Sequence, residues 1–170
     1  MKTKRPQDSF VIMSELVLPN DTNTLGNLMG GRLMHWMDIA AAISSQKHCN
    51  CPVVTASVDN VSFTSPIKLG NLLTIEAKLT RSFNTSMEVY LRVWGEDLSA
   101  QYRYISNEAY MTFVALDPNS KPRKVPELIP ETDLEKKMYD DALRRRQLRL
   151  ILAGKMKTED AGELRALFIK

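Results

Sequence analysis

The sequence predicts an α+β fold in which an antiparallel sheet wraps around one long central helix, with a helical extension at the C-terminal end. Three observations carry that expectation. After Gly30 and Gly31 no Gly or Pro occurs until Pro52, which leaves about twenty residues free to form one helix of roughly 30 Å. Downstream of it, several β-rich runs are joined by short polar turns. Beyond a segment with four prolines, Pro118 to Pro130, the composition becomes helix-forming again.

In chain order, Phe10 to Leu18 is β-rich and bounded by Ser9 and Pro19, so it predicts the first strand. Pro19, Asn20, Asp21, Thr22 and Asn23 then favour a turn, because such side chains bond their own backbone. Within the helix that follows, Leu33, Trp36, Met37, Ala40, Ile43 and Ser44 share one face at 100° per residue. Met34, Ile39, Ala41 and Ala42 make the remaining faces nearly as apolar, which predicts burial on more than one side. Pro52 ends the helix, and Val53 to Phe63 has strand composition up to the turn around Thr64-Ser65-Pro66.

Leu72 to Thr80 alternates, with Leu73, Ile75, Ala77 and Leu79 on one face and Thr74, Glu76 and Lys78 on the other. After the turn at Asn84-Thr85-Ser86, Met87, Val89, Leu91 and Val93 alternate against Glu88, Tyr90 and Arg92. A longer strand runs from Tyr102 to Ala115, with Ile105, Ala109, Met111 and Phe113 expected inward. Pro118 to Pro130 is an extended loop. Thr132 to Leu152 is expected to be helical, capped by Thr132 with Glu135 three residues on. Gly154 breaks it, and a short helix over Glu159 to Phe168 follows. These boundaries divide the chain into a domain over residues 1–130 and an extension over 131–170.

Composition narrows the function classes. With 44% hydrophobic and 25% charged residues among 170, the chain suits one globular domain with an appendage rather than a disordered polymer. A net charge of +3 is too small to argue for nucleic acid or an acidic membrane, though it suits a small phosphate-bearing substrate. No run approaches eighteen apolar residues, and the basic start has no apolar stretch behind it, so neither a membrane span nor a secretory signal is expected. Cys49 and Cys51, two apart, do not suggest a structural disulfide, and a cytoplasmic protein is expected.

One acid, Asp38, sits inside the apolar helix. Its neighbours at three and four residues are Met34, Ala41 and Ala42. Burial would disfavour its charged form unless a donor or cation compensates, so a capping or ion-pairing role is one reading. Its context offers another. A polar turn carrying Asn23, a double Gly, a helix N-terminus with free N–H groups, and an acid two turns in are the parts needed for acyl transfer.

The segment PNDTNTLGNLMGGRLMHWMDIAAAI resembles the signature of the hot-dog acyl-CoA thioesterases of the cytosolic acyl-CoA hydrolase type. The resemblance continues through Val53 to Asn71, Asn84 to Trp94 and Ala109 to Leu128, about three-quarters of the chain in order, and does not extend past about Pro130. It implies a hot-dog fold and hydrolysis of acyl-CoA to free CoA and a carboxylic acid, with no metal and no bound cofactor. It also implies dimers, assembled as trimers of dimers, with active sites at the dimer interface. The family's catalytic Asn and Asp match Asn23 and Asp38. Asp38 lies about 12 Å along the helix from Gly30, which argues independently for Asn23 of one chain meeting Asp38 of another, and Ala40, Ala41 and Ala42 would permit the approach.

On that resemblance Asp38 is general base or nucleophile and Asn23 orients the water or the thioester carbonyl. The backbone N–H of Gly30 or Gly31 faces the oxyanion, and close packing against a strand is the alternative use of these glycines. Asn84, Thr85 and Ser86 match the family's Thr/Ser turn near pantetheine and nucleotide, although Phe83-Asn84 stands where the family often has a Gly. Lys121, Arg123 and Lys124 in the Pro-rich loop offer cations for phosphate, with solvent exposure as the plain alternative.

Other chemistries find less support. His48-Cys49-Asn50-Cys51 offers three zinc ligands where a structural site wants four, and reads instead as a helix end. His35 would suit a hot-dog dehydratase only if it preceded the helix, whereas it lies inside it. Arg144, Arg145, Arg146 and Arg149 form a basic flank beside Tyr139, Leu143 and Leu150, expected to be a solvated helix face. A nucleic-acid-associated protein or a non-catalytic acyl-CoA sensor is the alternative function.

Overall fold

A computed structural model describes residues 2–168. Five strands form one antiparallel sheet in the order β1-β3-β4-β5-β2. They are β1 (Val11–Leu16), β2 (Val53–Asp59), β3 (Leu72–Ser82), β4 (Ser86–Asp97) and β5 (Tyr102–Ala115), and the long helix α1 (Gly30–Cys49) packs on one face. The chain divides into two compact units, one through Ile129 and one from Pro130. Among the described residues no helix is long and apolar enough to cross a membrane.

α1 forms because nothing between Gly31 and Pro52 interrupts it, and it stops where Asn50 takes a left-handed conformation (φ 51°). Asn is one of the few residues that tolerates this. Met37, Ala40 and Ala41 are completely buried, as are Leu73, Ile75 and Ala77 of β3 and Val89, Leu91 and Val93 of β4. Each large side chain so buried contributes roughly 1.5–3 kcal/mol. The small alanines let the helix lie close to the sheet.

The buried stripe differs from the expected one at Ile43, which is 42% exposed. The stripe centres on Met37, Ala40, Ala41 and Ser44, and Ile43 lies about 120° round the helix from Met37. A single chain therefore buries one side of α1 only. Asp38 is half-buried, and Ile39 and Ile43 face outward beside it.

β1 is shorter at both ends than expected. β2 ends at Asp59, where Asn60 takes φ 56°, so Val53 to Phe63 is not one continuous strand. Leu73, Ile75, Ala77 and Leu79 face the helix as the alternation predicted. Two side chains break the pattern. Glu88, expected among the outward polar residues, is buried and accepts a hydrogen bond from Thr80 Oγ1 at 2.5 Å. Ile105, expected inward, is exposed, because a bulge in β5 pairs Val93 with Asn107 but Trp94 with Ile105. The extra residue, Ser106, reverses the phase of everything before it.

In the second unit α2 (Asp133–Leu152) begins with the expected capping box. Thr132 Oγ1 accepts the Glu135 N–H at 3.2 Å, and Glu135 Oε2 accepts the Thr132 N–H at 3.1 Å. The arginines of α2 are half-buried rather than fully solvated. Arg144 pairs with Asp141 at 2.8 Å, and Arg145 donates to the Met138 carbonyl. After Gly154, the expected helix over Glu159 to Phe168 is split into a 3-10 turn, Thr158–Asp160, and a single turn α3 (Gly162–Arg165). Ala161, at ψ 62°, interrupts the two.

Candidate active site

The loop before α1 is built around two side chains. Asp21 is buried. One of its carboxylate oxygens accepts the Leu18 N–H at 3.0 Å, and the other pairs with Arg32 Nε at 2.8 Å. Arg32 in turn lies over the Trp36 ring, so the loop is clamped to the first turns of the helix. Asn23 closes a tight turn in which Gly26 takes φ 72°. Its side-chain oxygen accepts the N–H groups of Leu25 (2.9 Å) and Asn27 (3.2 Å). With the oxygen committed to the backbone, the exposed Asn23 amide presents its NH₂ donors outward.

Asn23 and Gly30 line one cavity of about 390 Å³ together with Leu33, Phe63, Ile67 and Asn107. The two glycines play different parts. A Cβ on Gly30 would stand 3.3 Å from Phe63 Cζ, whereas one on Gly31 would meet nothing within 4 Å. Packing thus accounts for Gly30 and not for Gly31. The first N–H groups of α1 have no acceptor within the helix, and the positive end of the helix dipole reinforces them.

Asp38 is elsewhere. Its Oδ1 accepts a 2.6 Å hydrogen bond from Thr55 Oγ1 on β2, one of the two edge strands of the sheet. That bond fixes the carboxylate rotamer and leaves Oδ2 for chemistry. Asp38 does not line the cavity that holds Asn23.

The turn at Asn84-Thr85-Ser86 joins β3 to β4. The Asn84 carbonyl accepts the Val125 N–H at 3.0 Å, and the Thr85 carbonyl accepts the Ala115 N–H at 2.9 Å. Arg123 N–H bonds the Ala115 carbonyl at 2.8 Å. The hairpin and the Pro-rich loop are therefore one structure, with the Arg123 and Lys124 side chains exposed on it. Val53 pairs with Ala115 and Thr55 with Phe113, so this structure and the Asp38–Thr55 pair share one end of β5. The Asn23 cavity meets β5 in its other half, at Ser106 and Asn107.

His48 is fully buried, with Nε2 2.9 Å from the Pro126 carbonyl and Nδ1 without a partner. Burial pushes its pKa down, and the neutral ring donates through Nε2. Cys49 Sγ points to the Cys51 carbonyl at 3.4 Å, and burial pushes its thiol up to about 12. Both cysteines are free thiols. Among the described residues no group of three His, Cys, Asp or Glu side chains is placed to hold a metal ion. His35 is exposed on α1.

Three site residues carried no signal in the sequence. Thr55 is one of several hydroxyls in β-rich runs, and only its 2.6 Å bond to Asp38 distinguishes it. Phe63 and Asn107 reach the cavity through the end of β2 and the β5 bulge, both departures from regular strand.

A family model described as the thioesterase superfamily matches residues 25–100. The chain is similar to acyl-coenzyme A thioesterase 11 of Mus musculus, 42% identical over 147 residues, covering 86% of this chain but 25% of that protein. It is also similar to an uncharacterized acyl-CoA thioester hydrolase of Bacillus subtilis, 38% identical over 144 residues, covering 85% of this chain and 84% of the other. A crystal structure of an apo hexameric acyl-CoA thioesterase aligns with TM-score 0.87 and 39% identity, covering 90% of this chain and 98% of that one. The acyl-CoA hydrolase of Staphylococcus aureus, solved with butyryl-CoA, CoA and CoA disulfide, aligns with TM-score 0.82 and 38% identity over 90% of this chain and 95% of its own. Structures of that hydrolase also exist with an Asp, an Asn and a Thr replaced by Ala. Those three positions have the same intervals along the chain as Asn23, Asp38 and Thr55. A five-stranded antiparallel sheet against one long helix, with the Bacillus relative and the hexameric structure similar over most of both lengths, gives one conclusion: this chain belongs to the acyl-CoA thioester hydrolases of the thioesterase superfamily.

Proposed function

We propose that the chain hydrolyses acyl-CoA to free CoA and a carboxylic acid, in an active site formed by Asn23 of one subunit and Asp38 of another. One observation carries this reading. The Asn23–Gly30 cavity and the Asp38–Thr55 pair are each well formed, yet they stand apart in a single chain. The side of α1 that bears Asp38 also bears exposed Ile39 and Ile43, and the adjacent edge strand β2 exposes Val54 and Val58. A second copy pairing along β2 would cover these side chains and bring the two half-sites together.

In that composite site the Asn23 NH₂ group donates to the thioester carbonyl oxygen. The first N–H groups of α1 stabilise the charge that develops there. Asp38 Oδ2 takes a proton from water as the water oxygen bonds to the carbonyl carbon. Collapse of the tetrahedral intermediate breaks the C–S bond, and the CoA thiolate leaves and recovers the proton. Attack by Oδ2 itself, through a mixed anhydride that water then opens, uses the same free oxygen. The side chains of Asn84, Thr85 and Ser86 flank the CoA arm, and Arg123 and Lys124 face its phosphates. Neither a metal nor a bound cofactor enters these steps. Assembly of dimers into a hexamer and action in the cytoplasm belong to the same reading, supported respectively by the hexameric structural relative and by similarity to the cytosolic acyl coenzyme A thioester hydrolase of Homo sapiens.

The test is subunit mixing, read as thiol release from a panel of acyl-CoAs. Asn23→Ala and Asp38→Asn each lose at least about a hundredfold in rate. Co-assembled in equal amounts, the two variants recover about a quarter of wild-type activity, because half the dimers then contain one intact site of two. Inactivity of the mixture, where both variants are folded and exchange subunits, would overturn the shared site. A wild type that releases no thiol from any acyl-CoA would overturn the enzyme reading itself.

A further inference from the structure

The helix that bears the site begins without a side-chain cap. Met29, at the cap position of α1, makes no capping bond with its side chain, and no acid lies in the first turn. The first bond of the helix runs from the Leu33 N–H to the Met29 carbonyl at 3.0 Å. The N–H groups of Gly30, Gly31 and Arg32 are thus left with no acceptor in the helix. Such an end attracts any carboxylate within reach. One is close by: buried Asp21, whose own backbone carbonyl accepts the Met29 N–H at 2.9 Å.

Both oxygens of that carboxylate are held elsewhere. Oδ2 accepts the Leu18 N–H at 3.0 Å, and Oδ1 lies 2.8 Å from Arg32 Nε. Arg32 is the third residue of α1, and its guanidinium lies over the ring of Trp36 one turn on, 5.8 Å from the centroid. A planar cation fixed by a ring on one side and a carboxylate on the other is well placed to keep hold of Asp21. It also opposes a negative charge close to where the thioester carbonyl gathers its own. The Asn23 turn keeps its shape by other bonds. Asn23 Oδ1 accepts the N–H groups of Leu25 and Asn27, and the Asn23 N–H bonds the Asn27 carbonyl at 2.8 Å.

Resting on the hydrolysis reading, we infer that Arg32 is a positioning residue that acts through Asp21. It holds that carboxylate away from the start of α1, so that the N–H groups of Gly30 and Gly31 stay free for the thioester carbonyl. The Arg32 side chain is 39% exposed, and an ion pair with so wet a partner adds little to stability. Loss of Arg32 leaves the Asp21 charge unopposed near the carbonyl, whether the carboxylate turns to the N–H groups or stays where it is. Neutralising Asp21 as well then removes the obstruction. Damage from losing Arg32 is therefore repaired by a second substitution at Asp21, the reverse of what two independent supporting contacts would give.

The experiment measures thiol release by wild type, Arg32→Met, Asp21→Asn and the double variant. Arg32→Met lowers kcat by about tenfold to a hundredfold with KM little changed, the range for a misplaced or blocked oxyanion donor. Adding Asp21→Asn recovers most of that loss, and Arg32→Lys, which keeps a cation against Asp21, retains most of the rate. Should Arg32→Met not fold, Arg32→Gln takes its place and the same order must hold. A double variant no faster than the Arg32 variant alone would overturn the assignment while leaving hydrolysis intact. So would a raised KM with kcat unchanged, the mark of a cation that grips the substrate itself. The infrared carbonyl band of ¹³C-labelled acyl-CoA bound to Asp38→Asn protein gives a readout independent of turnover. Hydrogen bonds from the start of α1 lower its frequency. Arg32→Met moves the band back toward the free value, and Asp21→Asn lowers it again. One frequency in all these proteins would also overturn the assignment. Absence of thiol release by wild type, with these shifts present, would defeat the hydrolase reading and keep the role of Arg32.

Discussion

Lowering the pH below about 6.5 should loosen the C-terminal end of α1, and His48 is the reason. The ring is fully buried, Nε2 bonds the Pro126 carbonyl at 2.9 Å, and Nδ1 has no acceptor. A proton on Nδ1 would therefore place a charge in the interior with one of its two donors unpaired. Burial is the largest cause of the depressed pKa. Lys4 adds to it, while the Pro126 bond and Asp8 oppose it. The unfolded chain takes up this proton near the ordinary value of 6.5, and the folded chain does so only at lower pH. Between those values the unfolded state holds more protons, so stability is complete above 6.5 and falls as pH drops toward the folded value. One proton limits the slope to about 1.4 kcal/mol per pH unit.

His48→Gln keeps an N–H donor able to reach Pro126 but cannot titrate. Its stability at pH 8 should lie within about 1–2 kcal/mol of wild type, and the loss of stability that wild type shows as pH falls below 6.5 should be smaller by the His48 contribution. Urea unfolding at several pH values and one protomer concentration measures both. A difference between the two proteins that does not change with pH would refute the reasoning, because a merely structural role for the ring predicts that constancy.

Two further substitutions test the site and the sheet. Thr55→Val removes the hydroxyl that holds Asp38 Oδ1 at 2.6 Å. A hydrogen bond to a charged group is worth about 1.5–3 kcal/mol, so kcat should fall by about tenfold or more with KM little changed. Thr55→Ser should retain most of the rate, and an unaltered kcat in the Val variant would exclude Thr55 from positioning the carboxylate. Gly95→Ala would put a Cβ 2.6 Å from Cζ of Tyr104, whose hydroxyl is tethered to the Pro66 carbonyl at 2.8 Å. The ring cannot slide without breaking that bond, so a loss of about 1–3 kcal/mol is expected in thermal or urea unfolding. Wild-type stability would show that the tether yields.

The parts of the fold that are legible in the sequence are those in which one residue pattern meets one surface. β3 alternates on an unbroken run, so the inward placement of Leu73, Ile75, Ala77 and Leu79 follows from the alternation alone. α1 is legible in extent, because Gly and Pro mark its ends and leave its interior alone. Ile105 is not, since its orientation depends on whether β5 contains an extra residue. Ser106 has nothing in its composition to announce a bulge. Glu88 fails for the opposite reason: its alternation is right, but the face it points to is not open to water at that position, and Thr80 supplies the hydrogen bond that lets a carboxylate stay there.

The site divides along the same line. Asn23 and Asp38 stand out because a polar side chain in a Gly-flanked turn and an acid on an apolar helix are both locally anomalous. Their surroundings do not, since Thr55, Phe63 and Asn107 acquire their positions from strand ends and a bulge rather than from any motif. Asp38 shows the limit most plainly. An α1 apolar nearly all round predicts burial on more than one side, yet one chain covers one side and leaves Asp38 half-buried beside exposed Ile39 and Ile43. The hydrophobic excess on that helix matches nothing in its own chain. A second α1 laid against it would account for the excess, remove water from Asp38, and bring the partner's half-site to the carboxylate in a single contact. The apolar surface and the proposed composite site therefore make the same demand, and subunit mixing tests both at once.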